Sequence, residues 1–193
     1  VNSAQNYSNI LVVVVTIGAI LWYFLGILFF CLQQDMSFID GWYFVTVTVT
    51  TVGYGVIVPQ SHAGRGFAAL YVMVSVFFIS YAIAHMTAVI LHGMEKIVIL
   101  DAMQGKNRAS WSMVVKRTLW TSALLLTLIV VGTVIGAAYF DFQWIDALYW
   151  CVITLSTVGY GDFVPPKKAG ERVVGGLFVI FGCSAFAMCV AQL

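Results

Sequence analysis

The pentapeptide Thr-Val-Gly-Tyr-Gly occurs twice, at residues 51–55 and 157–161. It holds no acid–base pair; what it offers is a run of backbone carbonyls. A potassium ion enters a narrow passage only where something replaces its hydration shell, and carbonyls aimed inward do that. Successive carbonyls face one axis only if alternate residues take positive or otherwise unusual φ, which costs Gly53, Gly55, Gly159 and Gly161 little. The Thr51 and Thr157 hydroxyls add oxygen at the inner end, while the valine and tyrosine side chains are expected to turn outward and pack. A single Gly-x-Gly would be weak evidence; two copies of a five-residue string in matching surroundings are not.

Those surroundings are apolar. Of 193 residues, 62% are hydrophobic and only 9% charged, against about 25% charged in a soluble domain, so a membrane protein is expected. Runs at residues 10–32, 66–91, 113–140 and 170–193 are long enough to cross as helices, with Lys116 and Arg117 able to snorkel at the entry of the third. Residues 39–50 and 145–156 are apolar but too short to cross. Each leads into one copy of the pentapeptide. Irregular backbone at membrane depth must be buried in protein or line a wet cavity, so these are read as re-entrant loops. Asp40 and Asp146 stand at the starts of the two short helices, where a carboxylate can cap free N–H groups and complement the positive dipole end.

The two pentapeptides are offset by 106 residues, from Thr51 to Thr157, and the match spreads beyond them. Ile39/Ile145, Asp40/Asp146, Tyr43/Tyr149, Thr48/Thr154, Val58/Val164, Pro59/Pro165, Ala63/Ala169 and Gly64/Gly170 are identical. The expected organisation is one membrane domain over 1–193. A first pore unit (1–100, pore loop 39–59) and a second (113–193, pore loop 145–165) are joined by a basic cytoplasmic loop at 101–112. With that loop and its flanks (Lys96, Lys106, Arg108, Lys116, Arg117) inside, both termini are cytoplasmic and both pore loops open outside. The sequon at Asn6 is then expected to stay unglycosylated. The N-terminus lacks the basic region of a signal peptide, and both ends are expected to continue into further tails.

On the repeated TVGYG strings, the short helices before them and the flanking spans, the sequence resembles a two-pore-domain potassium channel over nearly its whole length. The resemblance implies an all-α membrane protein: four transmembrane helices and two re-entrant pore helix–filter loops, in a homodimer whose four loops form a pseudo-fourfold pore. It implies potassium ligands at Thr51, Val52, Gly53 and Tyr54 in the first loop and Thr157, Val158, Gly159 and Tyr160 in the second, supported by Gly55 and Gly161. Spans two and four would line the cavity. Animal members carry a helical cap after the first span; only Gln33 to Ser37 stand there, so the resemblance points to capless members like those of plants and microbes.

The two filters differ chemically. Asp162 follows the second GYG and can accept a hydrogen bond from Tyr149, and Trp150 can donate its indole N–H toward Tyr160. Val56 and Phe44 at the first-copy positions do neither, so the first loop is expected to be held less tightly and to take part in gating. His85 and His92 in the second span and His62 near the mouth are candidate pH sensors, against the commoner reading of hydrogen-bonded histidines. Gly175, Gly176 and Gly182 are read as sites of close helix packing.

Passive potassium conduction leads the functional readings, with the bilayer, potassium and a second copy of the chain as partners and no cofactor beyond bound ions. The net charge of +1 argues against nucleic acid. No constellation supports an enzyme, and Cys31, Cys151, Cys183 and Cys189 suggest neither disulfides nor zinc. A non-conducting subunit is disfavoured by two intact filter strings, whereas the Val56 asymmetry leaves a weakly selective cation channel open. The sequence separates neither plasma from vacuolar membrane nor one gating stimulus from another.

Overall fold

The computed structural model describes the backbone of residues 2–103, 107–166 and 168–190, and the side chains of residues 10–82, 85, 115, 118–166 and 168–190. Six helices follow in order: α1 (Asn2–Gln33), α2 (Phe38–Val49), α3 (His62–Met103), α4 (Asn107–Tyr139), α5 (Trp144–Leu155) and α6 (Ala169–Val190). No strand occurs among the described residues. Segments Ile10–Gln33, His62–Ala82, Thr118–Tyr139 and Ala169–Val190 are long and apolar enough to cross a bilayer, whereas α2 and α5 are not. At 12 residues each the short helices rise about 18 Å, little more than half of the roughly 30 Å hydrocarbon thickness. Helix α3 continues past the second span to Met103 as one helix of 42 residues. The side chains of Lys96, Arg108, Lys116 and Arg117, and Lys106 altogether, lie outside the described residues.

The repeat extends to backbone detail. Asp35 and Asp141, which are 106 residues apart, both take left-handed φ (51° and 58°) in the turns after α1 and α4. These turns reverse the chain into the pore helices. The cap of α2 is the Ser37 hydroxyl, which accepts from the Asp40 N–H; α5 starts at Gln143 with no side-chain cap. Asp40 and Asp146 lie in the first turns, so they complement the dipole without capping, because a cap must precede the first helical residue.

Helix α2 is clasped by α1 of its own unit and by α6 of the other, and α4 packs most extensively on α5. The larger core cluster crosses the repeat boundary: Tyr43, Val47, Val52 and Tyr54 from the first half meet Trp150, Leu155, Phe178 and Val179 from the second. A smaller cluster of Ile27, Phe30, Phe44, Val45 and Tyr71 joins α1, α2 and α3. Within it Trp22 stacks on Tyr71 at 5.1 Å, and the Tyr23 hydroxyl meets the Thr46 hydroxyl at 2.6 Å. Gly176 and Gly182 of α6 serve close packing, since a Cβ there would run into Trp42 and Leu155. Ile10, Val14, Ile17, Leu21 and Leu28 of α1 remain exposed, as expected of a lipid-facing helix.

One ion pair joins the units inside this apolar packing. Arg172, in the first turns of α6 and 9% exposed, pairs with Asp40 of α2. Its repeat equivalent is Gly66, and among the described residues no ion pair forms at Asp146. Arg172 is the buried member of the pair and the Asp40 side chain is 32% exposed, so removing Asp40 strands the guanidinium. Arg172→Met and Asp40→Asn should each lower thermal stability in detergent. The double variant should lose less than the sum, with a coupling of about 0.5–3 kcal/mol; additive losses would show that the pair contributes nothing.

Candidate functional site

Each pore helix ends where its pentapeptide begins, at the C-caps Thr50 and Ser156. The next residues alternate in handedness: φ is positive at Thr51, Gly53 and Gly55 (62°, 56°, 73°) and again at Thr157, Gly159 and Gly161 (59°, 50°, 79°). Alternation of this kind turns consecutive carbonyls to one side of the strand. The glycines were the expected carriers. The threonines were not, because a β-branched residue at positive φ is strained. Backbone bonds hold them there: Thr51 N–H donates to the Thr48 carbonyl and Thr157 N–H to the Thr154 carbonyl, at 3.1 and 3.0 Å. The terminal carbonyls of both helices therefore stand at the inner end of the loops, where the negative dipole end favours a cation.

The valine and tyrosine side chains differ between copies. Val52 and Tyr54 are 3% and 4% exposed, whereas Val158 and Tyr160 are 48% and 70% exposed. Tyr54 crosses to the second pore helix, where its hydroxyl bonds the Thr154 hydroxyl, and it stacks on Tyr43 with 12° between the rings. Trp150 is directed at the same Tyr54 hydroxyl, with its indole N–H forming no hydrogen bond of normal geometry. The expectation that Trp150 would serve Tyr160 is therefore corrected: Tyr54 of the first loop reaches the second unit's pore helix, so within one chain Trp150 meets Tyr54. Tyr149 has Asp162 as an electrostatic neighbour.

Thr154 is a junction that sequence reasoning noted only as a repeat identity. Its hydroxyl holds Tyr54, and its carbonyl accepts from the Thr157 N–H at 3.0 Å and from the Cys183 thiol of α6 at 3.2 Å. One residue thus ties both TVGYG loops to a spanning helix. Its identity with Thr48 across the repeat was the one available signal.

The two loops lie side by side. A Cβ at Gly159 would collide with the Val52 carbonyl oxygen and one at Gly161 with that of Tyr54, whereas a Cβ at Gly53 or Gly55 would meet nothing. The outer edge of each loop is open within the single chain. Val56 is exposed beyond the first loop. The histidines are not gathered at the filters: His62 begins α3, His85 stacks on Tyr81 at 6.2 Å, and the His92 side chain lies outside the described residues.

A family described as "Ion channel" matches residues 10–92 and 123–193, most of the chain. Two-pore potassium channel 4 of Arabidopsis thaliana is 30% identical over 154 residues, covering 75% of this chain and 52% of that protein. Two pore potassium channel a of Oryza sativa subsp. japonica is 27% identical over 193 residues, covering 91% and 54%. Potassium channel subfamily K member 1 of Homo sapiens is 30% identical over 149 residues, covering 72% and 42%. The chain spans about half the length of these relatives. The family is one of transport proteins rather than enzymes, and this all-α multi-pass membrane chain belongs to it, in the company of two-pore-domain potassium channels.

Proposed function

We propose that the chain conducts potassium passively through a filter built from four TVGYG loops, two from each chain of a homodimer. The observation that carries this reading is the alternating backbone at residues 51–55 and 157–161. Carbonyls of Thr51, Val52, Gly53 and Tyr54, and of Thr157, Val158, Gly159 and Tyr160, stack as oxygen rings that replace the water shell of the ion. Ions occupy adjacent rings, so that mutual repulsion offsets tight binding and permits flow. No bond forms or breaks, and the electrochemical gradient supplies the work. Gly55, Gly161 and Asp162 support the outer end. Both termini are cytoplasmic, with the two pore units joined by the basic loop.

The open edges support the dimer. Gly159 and Gly161 abut the carbonyls of the first loop, yet Gly53 and Gly55 face open space, while Tyr160 stands exposed on the other side. A twofold axis that sets each second loop beside the partner's first loop would fill both vacancies. By the repeat, Tyr160 would then reach Thr48 of the partner subunit as Tyr54 reaches Thr154. Four loops are also the number needed to surround an ion, and one chain has two.

Protein reconstituted in liposomes should carry potassium at least about tenfold faster than sodium, a difference of about 1.4 kcal/mol between the ions, and barium should block it. Equal sodium flux would overturn potassium selectivity. Gly159→Ala should abolish flux, since its methyl has no room beside Val52; retained flux would remove the loop from the ion path. Thr154→Val strands the buried Tyr54 hydroxyl at a cost of about 1–3 kcal/mol. It should sharply lower potassium flux, with Thr154→Ser retaining most of it.

A further inference from the structure

Beyond Tyr54 the first loop leads into a return limb, residues 55–61, that ends where α3 begins at His62. From Tyr54 to Gln60 no backbone-to-backbone hydrogen bond joins this stretch to another part of the chain among the described residues. Its position is therefore set by side chains. Gln34 stands just past the last residue of α1, and its amide works in both senses. The oxygen accepts the Gln60 N–H at 2.9 Å. The nitrogen donates to the Ser61 hydroxyl at 2.7 Å and to the Gln33 carbonyl at 3.0 Å. The Ser61 hydroxyl in turn accepts the Gly64 N–H at 3.0 Å, in the first turn of α3. A Cβ at Gly64 would run into the Gln34 amide, so α1, the limb and α3 meet closely around this one side chain.

The second half gives the same position a different chemistry. Counting 106 residues on, Gln34 corresponds to Phe140 and Gln60 to Pro166. Phe140 is 3% exposed and meets Trp150 edge-on at 5.3 Å. It stands with Pro165 of the second return limb beside Gly175 of α6. That limb rests on an aromatic wedge, and Pro166 has no N–H to be anchored. The first limb rests on hydrogen bonds to the end of its spanning helix.

We infer that Gln34 is a positioning residue for the first filter loop, holding the return limb against the end of α1 and so fixing the Gly53 and Tyr54 carbonyls from outside the pore helices. The inference rests on the conduction reading above. Without the Gln34 amide, the limb keeps the packing of Ile57 and a bond from the Arg65 Nε to the Pro59 carbonyl at 3.2 Å. Neither fixes a backbone N–H of the limb. Discrimination between ions depends on how the carbonyls are held around them, so slack in the limb is expressed as lost selectivity rather than lost fold.

The test pairs a conformational reading with a functional one. Gln34→Met keeps the side-chain length and removes both hydrogen-bonding groups. In the dimeric protein it should speed deuterium exchange at the Gln60 amide and raise the sodium-to-potassium permeability ratio in liposomes, each by about two- to tenfold, the range for one hydrogen bond. Gln60→Pro deletes the same bond from the other side, with the residue that the second limb carries. It should raise the ratio by a similar factor, and the double variant should exceed neither single. Gln34→Glu keeps the acceptor and should keep the Gln60 amide protected. A merely structural defect would lower the flux of both ions without moving their ratio. Unchanged exchange in Gln34→Met, faster exchange with an unchanged ratio, or additive effects in the double variant would each overturn the inference while potassium conduction stands. A wild-type protein that passes no potassium would overturn the conduction reading and the positioning role with it, although exchange would still report whether Gln34 anchors the limb. If Gln34→Met fails to fold, the ratio in Gln60→Pro, which leaves α1 intact, decides.

Discussion

On the proposed conduction, the constraint on which the rest of this molecule depends is the cost of stripping water from a cation. Only closely spaced oxygens at fixed positions repay it, and the backbone presents them only when its handedness alternates residue by residue. That conformation is not a regular secondary structure and cannot hold itself. It forms no ladder with a neighbouring strand, and it places two threonines at positive φ (62° and 59°). The surrounding helices therefore serve chiefly as a frame for about ten residues that would relax if left alone.

The frame is interleaved rather than modular. The first pore helix is clasped by α1 of its own half and by α6 of the other, and the Asp40–Arg172 pair ties α2 to α6. Tyr54 of the first loop rests on Thr154 of the second pore helix. Such interleaving distributes strain: a displacement of α6 reaches Thr154 through the Cys183 thiol, and from Thr154 it reaches both loops. In an all-apolar surrounding these few polar contacts are directional where packing is not, which gives them an influence out of proportion to their number.

The halves share a plan and differ in detail. Turns, pore helices and filter backbone superimpose in kind down to the left-handed aspartates at 35 and 141. Around them, one half carries Arg172, Trp150 and Asp162 where the other has Gly66, Phe44 and Val56. The proposed ion path requires near-equivalence only of the carbonyls. Side chains behind the filter face different neighbours in the two halves, because one loop is flanked within the chain and the other at its open edge, so each has been free to find its own packing.

Much of the architecture was legible without coordinates, because the bilayer restricts the choices. Long apolar runs had to span, the two short ones had to stop, and the duplicated Gly-Tyr-Gly strings announced unusual backbone. The repeat offset carried the comparison of the loops, down to the missing acceptor at Val56. What could not be read was which half touches which. By sequence the Trp150 indole points to Tyr160 and the Asp40 carboxylate to a cap, whereas in the fold they meet Tyr54 and Arg172; of Thr154 the sequence shows only its repeat. Periodicity and length are local properties, written along the chain; the meeting of Tyr54 with a residue 100 positions away depends on how the helices of the two halves pack on one another, and only tertiary packing decides that.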